Sequence, residues 1–590
     1  MSPFERLKRL PVWAFPAAFT SGFALLMFIT SNSSVFSPLR SGDLYGNYSA
    51  VFRHFECGDK TFNHFGYPNG MGLSYFPTSD WIFTIPANVI SCVANNQFIG
   101  INLIWLASFP LTAVAASWTF SLVKVNKFIN VTFAIAISLI PYHWMRLSHV
   151  FLATMFSMIL GIGLVFFVKK KALLAIPETD TSRDIAFRKT ILIAILISVL
   201  IGGSGLYYAV FTAMFLVIAM VVSAAQKYNA KHFFLSITSI SAIFLTLLVS
   251  YIPTIIHKRV NPLSYDPTIR NAGESFLYSM NLDRVVMLSP NTGLPMPEFL
   301  RNKLIEIESI TNSFNIPSFE EGGWFSNVIV FFCWISLPIL LLVFIRMVQR
   351  PNFEKVNPTE KSDLQTCALL LVSSLLFAIP WGINFLFAVI VSPQIRAWGR
   401  LEPAVQFLVL MMVAILLTVL SKETRLNIPA VLIMSVALLI LVVDVAKSAT
   451  NFLRDSSAPL KSVSSFAIDY AEQVNLVEPS ECGILQIPYV GYPEAGDKYH
   501  FEVAFQNYQK SWSFGQFRGS PSAKVIEDIG NEVDIQERDT LLQMGFCGIH
   551  IDLRGYPIEL RESTFIGYVT ALGEPDAIGF DGNWNYWSFE

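Results

Sequence analysis

Stretches of about twenty consecutive apolar residues recur between residues 12 and 443 of this chain of 590 residues. A helix of that length crosses the hydrocarbon core of a bilayer, roughly 30 Å thick, with its backbone hydrogen bonds satisfied internally. Only 14% of the residues are charged, against roughly 25% in soluble proteins. The pattern predicts a polytopic α-helical membrane protein with about eleven transmembrane helices.

The charges between the apolar runs predict how the chain is threaded. Lys and Arg cluster at alternate ends of the runs, which places the N-terminus in the cytoplasm and the C-terminus outside. Two short apolar segments, 81–94 and 381–392, are predicted to be interfacial or broken helices. The predicted spans are 12–31, 99–123, 128–141, 150–168, 190–200, 207–224, 233–253, 327–345, 364–380, 403–420 and 428–443.

The chain is predicted to consist of two domains, a transmembrane module and a polar C-terminal domain. Residues 1–445 form a transmembrane module with long outer loops at 32–80 and 254–325, and an amphipathic helix is predicted near 297–309. Residues 446–590 form an extracytoplasmic α/β domain with short strands near 483–490, 548–553 and 584–589. Cys482 and Cys547 each adjoin a strand, so they form either a disulfide or two buried thiols.

The first outer loop carries the leading catalytic candidate, Asp43. It follows Gly42 just after the first span, and a carboxylate there can accept the proton of an attacking sugar hydroxyl. A simpler interpretation is a solvated acid or a helix cap. Three further acids follow in the same loop, Glu56, Asp59 and Asp80.

Two basic clusters lie at predicted outer ends of spans. The spacing of His143, Arg146 and His149 makes them neighbours on a helical turn, and Arg396 and Arg400 share one face if their segment is helical. Arginine offers a planar bidentate donor that suits phosphate. The alternatives are a zinc site at the two histidines, an arginine that reaches lipid headgroups, or an ion pair with Glu402.

Several function classes find no support in the sequence. It contains no Walker A motif, no GxGxxG after a strand and no HExxH. Net charge is −2, which gives no indication of nucleic-acid binding. Carboxylates inside the predicted spans are nearly absent, whereas ion-coupled transporters usually carry them.

The order of short motifs resembles a known class of enzyme. A Gly-Asp loop is followed by GYPNGMGLSYFP, PYHWMRLSHVFL, GLYYAVF, LDRVVMLSP and RAWGR, and the tail carries LQIPYVGYP, MGFCGIHIDLRGY and DGNWNYWSFE. This pattern is similar to the bacterial GT-C-type membrane glycosyltransferases, in particular the YfhO-like and related families.

The resemblance implies a function and a set of roles. Such enzymes transfer a sugar from a polyprenyl-phosphate carrier to a glycan or glycolipid acceptor outside the bacterial inner membrane, and the acceptor expected here is an envelope glycan, either lipopolysaccharide O-antigen or teichoic acid. An acidic residue of the first outer loop acts as the base, which is Asp43 here. Because many members carry a paired acidic motif and this loop has Gly-Asp alone, a divalent cation is left open. The predicted donor-phosphate contacts are Arg146, Arg396, Arg400, His143 and His149, and the predicted acceptor contacts are Tyr45, Tyr67 and Trp398.

Two other classes of function share the same sequence features. A flippase for lipid-linked sugars would need the basic cavity but no base. A non-catalytic scaffold would use the aromatic-rich tail for binding. Trp512, Trp584 and Trp587 of the tail would stack on sugar rings in an enzyme, or would simply pack in the core of the tail.

Overall fold

The computed structural model describes most of residues 11–589. The gaps within that range are 41–42, 54–63, 77–78, 174–179, 227–228, 283–284, 286–287, 289–295, 314–326, 328, 335–337, 339–357, 424–426, 494–498, 508 and 530–534. The predicted loop acids Glu56 and Asp59 and most of the predicted span 327–345 lie outside the described residues.

Helices make up the N-terminal three quarters of the described chain. Those of the first half are α1 (Ala14–Thr30), α2 (Asp43–Arg53), α3 (Trp81–Ala94), α4 (Ile99–Leu122), α5 (Lys127–Ser138), α6 (Pro141–Met145), α7 (Val150–Ala153), α8 (Phe156–Leu173), α9 (Asp180–Gly202), α10 (Leu206–Gln226) and α11 (Ala230–Val260). They continue with α12 (Glu274–Leu277), α13 (Glu298–Ser313), α14 (Pro358–Ala378), α15 (Ile383–Ile390), α16 (Glu402–Glu423) and α17 (Asn427–Val477).

Eight helical stretches among the described residues are long and apolar enough to cross a membrane. This confirms a polytopic α-helical membrane protein, whereas the number of eleven spans is not confirmed. The short segments α3 and α15 are separate helices of 14 and 8 residues, as their compositions predict. The amphipathic helix of the second outer loop is α13.

The long helix α17 joins the bundle to the tail. It has 51 residues, so at 1.5 Å per residue it is about 75 Å long, more than twice the thickness of the hydrocarbon core. The predicted domain boundary at residue 446 lies inside it. Its second half leaves the bundle and packs on the tail, where the Tyr470 hydroxyl lies 2.9 Å from Nδ1 of His550.

The tail is a five-stranded mixed sheet between two helical layers. The strands are β1 (Gly483–Ile487), β2 (Ser511–Trp512), β3 (Phe546–Asp552), β4 (Ala577–Gly579) and β5 (Trp584–Ser588), in the order β2-β1-β3-β5-β4. β1 is parallel to β2 and β3, and β5 is antiparallel to β3 and β4. The remaining helices are α18 (Phe501–Ala504), α19 (Pro521–Ile529), α20 (Ile535–Gln543) and α21 (Ile558–Leu572). The three strand predictions and the small C-terminal α/β domain are confirmed.

The first outer loop docks on this sheet. Residues 64–67 run beside β2: Phe65 forms a parallel bridge with Trp512, and Tyr67 N–H donates to the Trp512 carbonyl over 3.0 Å. Gly483 leaves room for this contact, because a Cβ there would lie 2.3 Å from the Tyr67 ring. The loop that carries Asp43 and the tail therefore lie at the same end of the helical bundle.

The alternatives for the tail cysteines are resolved in favour of a disulfide. Cys482 and Cys547 are bonded, with Cα atoms 5.8 Å apart, and they join β1 to β3 beside the docked loop. Cys92, at the end of α3, is also disulfide-bonded. Cys333 and Cys367 are buried thiols.

Candidate active site

Asp43 and His149 form a pair at the end of the bundle that faces the tail. Asp43 is the first residue of α2, where the helix dipole favours a negative charge. Nε2 of His149 lies 3.2 Å from Oδ2 of Asp43, and the two side chains are 24% and 47% exposed. The pair is thus fixed by the protein yet open to solvent.

Two further contacts hold the start of α2 against the same turn. Nη1 of Arg40 donates to the Met145 carbonyl over 3.0 Å, and Nδ2 of Asn47 donates to the Ser148 carbonyl over 3.2 Å. Burial lowers the pKa of Arg40, Arg146 lowers it further, and Asp43 raises it. Arg40 is therefore close to both groups, and it is the cation that the sequence places nearest to Asp43.

Arg146 and Arg400 converge on a pair of tyrosines deeper in the bundle. The two residues are only 4% and 7% exposed. Both lie within electrostatic reach of Tyr142 and Tyr208, whose hydroxyl oxygens are 3.4 Å apart. The Arg400 guanidinium also lies 4.1 Å from the Tyr207 ring centroid, a cation–π distance. Segments about 250 residues apart in the chain thus bring two cations to one place.

Glu402 is a member of this cluster that sequence reasoning missed. It is fully buried and accepts a hydrogen bond from Nε2 of Gln406 over 2.9 Å, and it lies within electrostatic reach of Tyr142. From the sequence alone, Glu402 is predicted only as the partner of an arginine in an ion pair. Its position at the start of a long apolar run, two residues after Arg400, is the signal that marks it as a buried carboxylate.

Arg396 lies in a different environment from Arg400. It forms an ion pair with Glu274, and its guanidinium lies 4.6 Å from the Tyr278 ring centroid. The segment before Trp398 is not helical, and residues 398–401 form a single 3₁₀ turn. The spacing of four therefore does not put the two arginines on one helical face.

His143 faces away from His149. It is fully buried, and its ring stacks on Phe109 with centroids 3.8 Å apart. Nδ1 donates to the Ser138 carbonyl over 2.8 Å, and Nε2 lies 2.5 Å from the Ser108 hydroxyl. Both ring nitrogens are used inside the bundle, so the predicted turn of three basic residues separates into three environments.

The predicted acceptor residues lie in contacts within the protein. Tyr45 is buried and stacks on Phe505 of the tail. The Tyr67 hydroxyl donates to the Met544 carbonyl over 3.0 Å. Trp398 is fully buried against rings of the bundle, and the tail residues Trp512, Trp584 and Trp587 are buried too.

The other described acid of the first loop lies elsewhere. Asp80 immediately precedes α3 and is within electrostatic reach of Tyr251 on α11. Burial raises the pKa of Asp80. It has no described contact with Asp43.

Metal-ligand geometry can be tested only in the part of the chain that is described. There, the one group of three ligating residues is Glu478, Cys482 and Cys547, whose two sulfurs are bonded to each other and therefore offer no thiolate. Within the same described residues, no third His, Cys, Asp or Glu completes such a group with Asp43 and His149. The divalent cation stays a prediction, and no step below depends on it.

No protein-family model matches this sequence, and a search of curated proteins finds no match. Solved structures give matches over most of the chain. ArnT from Cupriavidus metallidurans bound to undecaprenyl phosphate is 11% identical with a TM-score of 0.46, over 97% of this chain and 98% of that one. The oligosaccharyltransferase from Archaeoglobus fulgidus, in complex with Zn and sulfate, is 11% identical with a TM-score of 0.45, over 95% and 70%.

The arabinofuranosyltransferase AftD from Mycobacteria is 13% identical with a TM-score of 0.49, over 91% of this chain and only 35% of that one. The resemblance to GT-C-type membrane glycosyltransferases and the YfhO-like assignment stay predictions. TM-scores of 0.45 to 0.49 are too low to assign a function, which therefore depends on the residues of this chain.

Proposed function

We propose that this chain is a membrane glycosyltransferase that moves a sugar from a polyprenyl-phosphate carrier to a hydroxyl of an envelope glycan or glycolipid. One observation carries the proposal: Arg146 and Arg400 are nearly buried around one tyrosine pair at the end of the bundle where Asp43 lies. Buried charge at membrane depth costs several kcal/mol unless it is paired or used. Two arginines beside one tyrosine pair offer the planar donors that suit an anionic headgroup.

The proposed reaction divides the site into a base and a phosphate side. Asp43 removes the proton of the acceptor hydroxyl while that oxygen forms a bond to the anomeric carbon of the donor sugar. The bond from that carbon to the phosphate oxygen breaks, and the carrier phosphate leaves with the electron pair. Arg146 and Arg400 stabilise the charge that develops on the phosphate. Electrostatic stabilisation of this kind is usually the largest single contribution to catalysis.

Arg396 and His143 are left out of the phosphate side. The carboxylate of Glu274 already pairs with Arg396, and the ring of His143 is enclosed in the bundle. The acceptor side is the exposed surface around Asp43. Tyr45 and Trp398 are buried and would need repacking before they could contact an acceptor, whereas Tyr67 is half-buried and its hydroxyl is bonded to the Met544 carbonyl.

The proposal is tested with purified full-length protein in lipid nanodiscs. The donors are a panel of undecaprenyl-phosphate-linked hexoses and pentoses, and mass spectrometry measures released undecaprenyl phosphate with water or added glycan as acceptor. We expect turnover of at least one donor. A fluorescent undecaprenyl-phosphate sugar that changes leaflet in liposomes without being consumed would instead establish the flippase function.

We further propose that the tail and Asp43 face the outside of the bacterial inner membrane, with the N-terminus inside. The disulfides of Cys92 and of the tail support an oxidising compartment at that end of the bundle. In a background without the thiols of Cys333 and Cys367, Asp455→Cys should react with a membrane-impermeant maleimide in intact cells, and Lys171→Cys only after permeabilisation. If only Lys171→Cys reacted in intact cells, the proposed topology would be wrong and the opposite orientation would hold.

A further inference from the structure

His149 stands at a backbone position that is fixed on both sides. Its N–H donates to the Arg146 carbonyl over 2.9 Å, and its own carbonyl accepts from the N–H groups of Leu152 and Ala153 over 2.9 and 3.0 Å. The ring meets the Phe151 ring edge-on, with centroids 6.1 Å apart. These contacts limit the directions in which the imidazole can point.

The imidazole points toward Asp43 and away from the arginine cluster. Arg146, three residues earlier, turns inward toward the Tyr142 ring, with 5.8 Å from its guanidinium carbon to the ring centroid. His149 instead places Nε2 at 3.2 Å from Oδ2 of Asp43. The turn that the sequence analysis treats as one phosphate-binding unit thus presents two side chains to two different groups.

The separation between His149 and Asp43 is set by contacts on either side of the pair. Arg40, before α2, and Asn47, one turn into α2, both donate to carbonyls of the 145–148 turn. Among the described contacts of Asp43, Arg40 lies within electrostatic reach from the preceding segment and His149 approaches from the turn, with Arg146 within electrostatic reach of Arg40. The carboxylate is therefore held between a cation and an imidazole.

We propose that His149 is the positioning residue of the base, and that it orients Asp43 instead of binding the donor phosphate. Its Nε2–H donates to Oδ2, which leaves Oδ1 for the proton of the acceptor hydroxyl. A hydrogen bond to the charged form of a carboxylate also keeps that form favoured. His149 keeps its own proton and touches no reacting atom. The inference rests on the proposed function, because it needs Asp43 to be the base.

The test compares two variants at one position. His149→Phe removes the N–H donor, whereas His149→Gln keeps one at the end of the side chain. We expect His149→Phe to lower kcat about 10- to 100-fold, since a misplaced catalytic group can cost roughly that much, and the donor KM to stay within about twofold. The acidic limb of the kcat/KM profile should move to higher pH, because the carboxylate loses a stabilising donor. His149→Gln should restore most of both properties.

Binding of undecaprenyl phosphate separates the two roles of His149. In His149→Phe the Kd for this lipid should be unchanged, which also shows that the variant is folded. If His149→Phe weakened this binding as much as Arg400→Gln does, His149 would be a contact of the donor phosphate, and the inference would be overturned. A lower kcat with no movement of the pH profile and no recovery in His149→Gln would leave a structural role only and would overturn it too.

A substrate-free measurement tests the pair itself. Thermal unfolding of Asp43→Asn, His149→Phe and the double variant forms a double-mutant cycle, and residues in contact give non-additive changes. We expect the double variant to lose less Tm than the sum of the single variants. Additive losses would contradict the pair. If the cycle is non-additive but Asp43→Asn keeps full turnover, the proposed base fails while the His149–Asp43 contact stands.

Discussion

Asp43→Asn should lower turnover of the polyprenyl-phosphate donor by at least about a hundredfold while the protein inserts and binds undecaprenyl phosphate normally. The amide keeps the shape of the carboxylate but cannot accept the proton, and general-base catalysis typically contributes roughly 10²–10⁴-fold. The loss should appear in kcat and in kcat/KM equally, as expected for an interaction made only in the transition state. Steady-state kinetics with the donor that turns over in the panel measures it.

Two carboxylates of the same end of the protein serve as controls. Asp80→Asn changes an acid of the same loop that has no described contact with Asp43, and Asp266→Asn changes an acid of the second outer loop that pairs with Lys258. Both should keep turnover within a few fold. If Asp80→Asn abolishes turnover and Asp43→Asn does not, the base is misassigned. If neither Asp43→Asn nor Asp80→Asn lowers turnover, the flippase function becomes the better proposal.

The class of fold follows from the sequence because each helix in a bilayer satisfies its own backbone. Apolar runs predict α4 and α10 to within two residues at each end, and alternation of apolar residues predicts β5 equally well. Residue 446, the boundary between the two predicted domains, does not coincide with the end of a helix. Composition changes near residue 446, but α17 continues to Val477, because a helix needs no apolar residues once it has left the membrane.

The candidate site is only partly predictable, since it depends on contacts between distant segments. Asp43 and Arg146 are identified by their residue types next to apolar runs. The separation of His143 from His149 is not visible in the sequence, because Pro141 begins a new short helix and Met145 ends it in a 3₁₀ turn. A continuous helix would have placed all three basic residues together. The same reason applies to Arg396, whose neighbours before Trp398 are not helical.

Aromatic residues are the least predictable part of the site. In a soluble loop, tyrosine and tryptophan favour contact with ligands, but here the first outer loop is covered by the tail. Phe65 packs edge-on against Phe501 and Phe505, and Tyr45 stacks on Phe505. The aromatic residues of this loop therefore form an interface with the tail. This interface depends on contacts between distant segments, which the sequence does not reveal.

Arg400→Gln and Arg146→Gln should each weaken binding of undecaprenyl phosphate about 10- to 100-fold. A hydrogen bond from a charged group contributes roughly 1.5–3 kcal/mol, and each 1.4 kcal/mol is a factor of ten in Kd. Glutamine keeps a donor but loses the charge and the planar fork that suits phosphate. Isothermal titration or scintillation-proximity binding to the protein in nanodiscs measures the change, and thermal unfolding verifies that the variants are folded.

Arg396→Gln is the matched control for these two variants. It removes the same side chain from the same sequence motif, but its guanidinium pairs with Glu274 at the second outer loop. We therefore expect its Kd for undecaprenyl phosphate to stay within about threefold, since its guanidinium is engaged by Glu274 and is not among the groups near the Tyr142–Tyr208 pair. Equal losses for all three arginines would mean that one phosphate site spans both clusters, as the spacing in the sequence predicts. Equal retention by all three would place the carrier away from the Tyr142–Tyr208 pair and remove the main support for the proposed function.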